Sequence, residues 1–176
     1  MVDHNTEWHF WNSNREKEIC LSNKSLFIDT KKYSTFADFT TDFLELYRLF
    51  SSFYPSVSVN RIGLRYIDQI SPETARGTMS WEGYWSQYIN PKLLGGIHFN
   101  NPDEWTKLIR NMNSKEMNYG TFMTRFQWGI FNSDYPAPNR KNEFIIDTDL
   151  YSNGLFTYTE VTELLQLFHN KAKEYF

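Results

Sequence analysis

Only one cysteine, Cys20, occurs in 176 residues, so no internal disulfide can form, and a cytoplasmic home is what this usage fits. No charged segment leads into an apolar stretch in the manner of a signal peptide, and no apolar run reaches the roughly 20 residues that a membrane span needs. Basic blocks are absent and the formal charge is -3, which argues against a non-specific grip on a phosphate backbone, so nucleic acid is not an expected partner. There is no Gly-rich phosphate loop. His4, His9, His98 and His169 are scattered, and beside one cysteine they offer no spacing from which a zinc site can be drawn; no metal or cofactor is expected. Repeats, low-complexity tracts and linkers are missing too, which predicts a single domain over residues 1–176.

What the chain has in excess is rings. Its 15 Phe, 11 Tyr and 6 Trp must go into core, an interface or a stacking surface. Hydrophobic residues at 40% and charged residues at 22% place it among chains that fold around a core rather than among disordered ones.

Periodicity divides the chain into elements. Trp8 and Phe10, then Ile19 and Leu21, then Leu26-Phe27-Ile28 are short alternating runs parted by Asn12-Ser13-Asn14 and Ser22-Asn23-Lys24, which predicts a three-stranded meander. From Thr35 the period lengthens, with Phe36, Phe39, Phe43, Tyr47, Phe50 and Tyr54 on one helical stripe, Thr35 as N-cap, Asp38 in the first turn and Pro55 as the stop. Residues 57–70 return to a strand pattern, with Ile62, Leu64, Tyr66, Asp68 and Ile70 on one side and Arg61, Gly63, Arg65 and Ile67 on the other. Trp81, Tyr84, Trp85, Tyr88 and Ile89 fit a short helix that Pro91 ends. Asn101-Pro102-Asp103-Glu104 reads as a helix start, with Trp105, Leu108, Ile109 and Met112 as its buried stripe. A strand from about Asn118 to Phe131 and another over Phe144–Tyr151 follow, with a turn at Ser152-Asn153-Gly154. A last helix from about Tyr158 carries Val161, Leu164, Leu165, Phe168 and Ala172, capped by Thr157 and Glu160. The order predicts an α+β fold: a mainly antiparallel sheet of meander and long central strands, with helices packed on one face.

Arg61-Ile-Gly-Leu-Arg-Tyr-Ile-Asp-Gln-Ile70, Phe144-Ile-Ile-Asp-Thr-Asp-Leu-Tyr151 and the closing Leu164–Phe176 segment resemble the GLRYIN-type strand, the LLDIDVY-type strand and the Leu-His-bearing last helix of a sporadically distributed, uncharacterised bacterial protein family. The similarity runs from about Tyr33 to the end and departs at Asp68, where the family has Asn, at Thr148, and at Phe168 before His169. It implies a fold and a bacterial type of origin, with this chain a short or trimmed member of a longer family; no activity comes with it.

Two groups of side chains are candidates for function. Arg61 and Arg65, Arg125 and Gln127, and Asp147 and Asp149 fall on equivalent faces of three strands. If those strands are neighbours, they form either a ladder of cross-strand ion pairs or a groove in which the arginines hold phosphates and the aspartates a cation. Trp81, Tyr84, Trp85 and Tyr88, with Phe99 and Trp105 nearby, are the candidate partner surface, since interfaces favour Trp and Tyr at their centres. His169 suits either the negative end of its helix or a hydrogen bond to a neighbouring strand. With no catalytic signature, the leading expectation is a non-enzymatic binding or accessory domain acting through a protein partner or as a homo-oligomer. The alternative is a nucleotide- or polyphosphate-binding enzyme or sensor using the Arg and Asp face.

Overall fold

The computed structural model describes residues 6–72, 77, 79–95, 104, 107–137 and 143–175. It is α+β, with two antiparallel sheets and three α-helices among the described residues. The chain forms two compact units, Met1–Ser58 and Val59–Phe176.

The first unit is the expected meander followed by the expected helix. β1 (Glu7–Trp11), β2 (Lys17–Ser22) and β3 (Leu26–Thr30) pair in that order, with His9 opposite Cys20 and Cys20 opposite Phe27. Asn12 makes the first turn, its side-chain oxygen accepting from the backbone N–H groups of Glu16 (2.9 Å) and Lys17 (3.1 Å) while Arg15 takes a left-handed conformation. The Ser22 hydroxyl organises the second turn by accepting from the N–H of Lys24 (3.1 Å) and Ser25 (3.0 Å). α1 (Phe36–Phe53) starts where Thr35 Oγ1 accepts from the Asp38 N–H (3.1 Å) and stops two residues before Pro55. Its rings contact each other along the stripe, Phe43 with Tyr47 and Phe50 with Tyr54, but no side chain of α1 is buried.

The second unit is a four-stranded antiparallel sheet in the order β4-β7-β6-β5: β4 (Val59–Ile70), β5 (Asn111–Asn118), β6 (Met123–Phe131) and β7 (Glu143–Phe156). α3 (Tyr158–Ala172) covers one face, burying Val161, Leu165, Phe168 and Ala172, and begins in the expected capping box of Thr157 and Glu160. Each large apolar side chain so buried stabilises by about 1.5–3 kcal/mol. α2 (Trp81–Trp85) and the 3-10 turn Pro91–Leu93 bring Tyr84, Trp85, Ile89 and Leu94 into one core with Phe126, Trp128, Ile130, Phe144 and Ile146. The Trp128 indole N–H donates to the Leu93 carbonyl (2.8 Å), which ties this layer to the sheet.

Three expectations for this unit change. Asn111 and Met112 open strand β5 rather than end a helix, because their backbone pairs with β6; the expected helix start at Asn101–Asp103 and Trp105 lie outside the described residues. The strand expected from about Asn118 to Phe131 starts at Met123, since Asn118 closes β5 and its Oδ1 accepts from the Gly120 N–H (2.8 Å) where Gly120 takes a positive φ, reversing the chain before Phe122. Ser152-Asn153-Gly154 is no turn: β7 runs on to Phe156, with Ile62 opposite Ser152 and Arg61 opposite Asn153.

Candidate functional site

The period of two along each strand gives the second unit's sheet two unlike faces. Ile62, Leu64, Phe126, Trp128, Phe144, Ile146 and Leu150 lie on the covered face and are buried. The other face carries the charges, and the strand order makes the three expected segments neighbours. Arg65 of β4, Asp149 of β7, Arg125 of β6 and Glu116 of β5 form one cross-strand row, alternating in sign across the whole sheet. Ile67, Asp147, Gln127 and Ser114 form the next row.

The actual bonds run partly on the diagonal. Arg65 donates through Nε and Nη2 to the two carboxylate oxygens of Asp147, at 2.8 and 2.7 Å, although Asp149 is its register partner. Arg61 reaches Asp149 at 3.5 Å, and its guanidinium lies over the Tyr151 ring, 4.6 Å from the centroid. Arg125 donates to Glu116 at 3.1 Å. The arginine side chains are about half exposed while Asp147 is buried beneath them. Burial pushes the Asp149 carboxyl above the ordinary carboxylate range, against the pull of Arg61, Arg65 and Arg125. Each guanidinium therefore already has a carboxylate, and both Asp147 oxygens are engaged by the Arg65 fork. The exposed Arg125–Glu116 pair is worth about 0.2–1 kcal/mol, whereas the Arg65 fork is what satisfies the buried Asp147 carboxylate. They satisfy the charges of the sheet, and a phosphate or a cation on this face would have to displace them.

The ring cluster expected to meet a partner is mostly core. Tyr84 and Trp85 are 1% and 0% exposed, because α2 lies against the β6 and β7 side chains with the Trp85 ring 5.6 Å from that of Phe144. Among the described side chains of the group only Tyr88 is exposed; the Trp81 side chain, Phe99 and Trp105 lie outside the described residues.

The exposed apolar surface is concentrated elsewhere. On the first unit's sheet Trp8, Phe10, Ile19, Leu21, Leu26 and Ile28 share one face by alternation, and none of them is buried. Trp8 is 50%, Phe10 56% and Phe53 at the end of α1 72% exposed. Cys20, on the opposite face of that sheet, is the one buried apolar side chain among the described residues of this unit. The rings of β1 and α1 fall in the elements that their periods predict, and the alternation of Trp8 and Phe10 is the signal that they share a face; how far each is exposed depends on packing that alternation does not encode.

On the covered face of the larger sheet the Tyr66 hydroxyl and His169 Nδ1 are 2.8 Å apart, so of the two roles open to His169 the bond to a strand is the one it takes. Burial, and after it the nearby Lys173, holds this imidazole below its ordinary value of 6.5. The unfolded chain therefore holds more protons in the window from about 6.5 down to the folded value, and the stability contributed by His169, full above that window, is lost as pH falls through it. A proton NMR titration of the imidazole is expected to give a midpoint below 6.5, and a midpoint at or above that value contradicts the burial argument.

Among the described residues the side chains grouped so that they could hold a metal are Glu7, His9 and Cys20 on β1 and β2, not the aspartates of the charged face. No helix among the described residues is long and apolar enough to cross a membrane. No family model, curated protein or solved structure matches the chain.

Proposed function

We propose that the chain is a non-enzymatic binding domain that acts through a protein partner or a second copy of itself, and that the apolar face of the first unit is its contact surface. The observation that carries this reading is the state of that face: six apolar side chains on the sheet and a whole stripe of rings on α1, with none buried. Contiguous apolar surface of this kind marks interaction sites, and Trp, Tyr and Phe are the side chains that interfaces favour at their centres. Covering the exposed half of one such side chain contributes about half of the 1.5–3 kcal/mol of full burial, so several together are needed for specific association against its entropic cost. The paired guanidinium groups of the charged sheet face point away from a phosphate-binding role.

The test is the double substitution Trp8→Ser and Phe10→Ser, at two exposed positions where the fold loses little. The variant is expected to keep the far-UV circular dichroism of the native chain and to lose retention on beads carrying either the native chain or proteins of a native extract. Equal retention of variant and native chain on both would reject this surface.

A further inference from the structure

The polar face of the first sheet holds a second constellation, independent of the apolar one. Glu7 and His9 are two residues apart on β1 and so point to the same side, and His9 stands opposite Cys20 in the β1–β2 register. One oxygen of Glu7, one ring nitrogen of His9 and the sulfur of Cys20 all lie within 4.8 Å of one another. His9 Nε2 is 3.4 Å from Glu7 Oε2 and 4.0 Å from Cys20 Sγ. Metal bonds of about 2.3 Å to sulfur and about 2.0 Å to nitrogen or oxygen give a tetrahedron with edges of about 3.3–3.6 Å. The nitrogen–oxygen edge already fits, and the two edges to sulfur, 4.0 Å from the nitrogen and within 4.8 Å of the oxygen, close by rotation of the Glu7 and His9 side chains.

The other nitrogen of the ring adds a feature that metal-ligating histidines share. His9 Nδ1 is hydrogen-bonded to Glu18 Oε1, on the next strand and the same face. A ligating histidine characteristically donates its remote N–H to a carboxylate, which fixes the tautomer that leaves the other nitrogen free to coordinate. Here Nδ1 is the anchored atom and Nε2 is the one turned toward Glu7 and Cys20. Entry is from solvent, since the His9 and Glu7 side chains are 44% and 46% exposed while Cys20 forms the buried floor. The donor set of thiolate, imidazole and carboxylate suits a borderline ion of the zinc type rather than the hard cations that take oxygen alone.

We infer that Glu7, His9 and Cys20 bind a divalent ion of the zinc class through three protein ligands, with Glu18 positioning His9 and the fourth coordination position open to solvent. Three protein ligands and an open position are the arrangement of zinc sites that accept water or a further ligand, as opposed to closed structural sites.

The experiment uses the full chain, stripped with a chelator, kept reduced and titrated with cobalt(II) chloride. One ion per chain is expected, with the thiolate-to-cobalt charge-transfer band in the near ultraviolet and the visible bands of a tetrahedral ion, all removed by zinc chloride. Cys20→Ser is expected to abolish the charge-transfer band. Glu18→Gln is expected to weaken zinc binding about 10- to 100-fold while keeping the band, the behaviour of a positioning residue and not of a ligand. Because Cys20 is buried, His9→Asn at an exposed position carries the test without risk to the fold, and it is expected to lose the tetrahedral bands. Absence of a thiolate band at saturating cobalt, or equal zinc affinity in the native chain and His9→Asn, would overturn the site and leave the imidazole simply held between Glu7 and Glu18.

Discussion

Gly129→Ala is expected to destabilise the larger unit by about 4 kcal/mol, the sum of a backbone cost and a steric one. Gly129 has φ 149°, in the region that favours glycine, and holding a side chain in such backbone costs about 1–3 kcal/mol. A Cβ built there lies 2.0 Å from the Asn111 carbonyl oxygen, 2.9 Å from its carbon and 3.1 Å from the Met112 Cα. All three are backbone atoms of β5, the strand paired to Gly129, so no flexible side chain can swing aside. Parting β5 from β6 or straining both adds about 1–3 kcal/mol. The midpoint of urea denaturation is expected to fall, with the loss of amide exchange protection greatest along Asn111–Asn118. An unchanged midpoint would show that β5 does not approach β6 as closely as this register requires.

Phe168→Ala is expected to cost about 3–5 kcal/mol, the range for removing a fully buried phenylalanine whose site cannot collapse. Phe168 is 0% exposed on the inner side of α3, with its ring 5.7 Å from that of Phe122. The comparison that isolates burial is Phe53→Ala in α1, where the ring is 72% exposed and the expected change is within about 0.5 kcal/mol. Exchange protection in α3 and β7 reads the first substitution directly. Similar stability changes for the two would mean that α3 does not cover the sheet through Phe168.

Much of this architecture was legible from the order of side chains. The meander, α1 and α3 carry strong periods, ending in turn residues or caps whose hydrogen bonds are present: Asn12, Ser22, Thr35 and the Thr157–Glu160 box. β5 was hidden because its sequence, Asn-Met-Asn-Ser-Lys-Glu-Met-Asn, has two apolar residues spaced unlike a strand, and its place is fixed by backbone pairing to β6. The far end of β7 was hidden for the opposite reason. Ser152-Asn153-Gly154 has the composition of a turn, but β4 is long enough to pair with it and holds it extended.

The site followed the same division. That Arg61, Arg65, Arg125, Asp147 and Asp149 share one face follows from alternation alone, whereas the choice of Asp147 over Asp149 by Arg65 depends on side-chain reach across a diagonal. The burial of Tyr84 and Trp85 needed knowledge of what α2 packs against, strands that come much later in the chain. The Glu7, His9 and Cys20 cluster was missed because zinc-site spacing is sought between near neighbours, while here the register of a hairpin joins residues 11 apart. The signal was nonetheless present. A turn centred between Asn14 and Arg15 sets His9 opposite Cys20, with Glu7 and His9 on one face, once β1 and β2 are taken as a hairpin.

The most direct test of a binding role for the first unit is sedimentation velocity of the purified full chain over a wide range of concentrations, alone and with proteins of a native extract, beside the Trp8→Ser, Phe10→Ser variant. The expected result is a native boundary that moves faster with rising concentration or added protein, while the variant stays at the rate of a single chain. Native chain and variant sedimenting identically as single chains under every condition would contradict it.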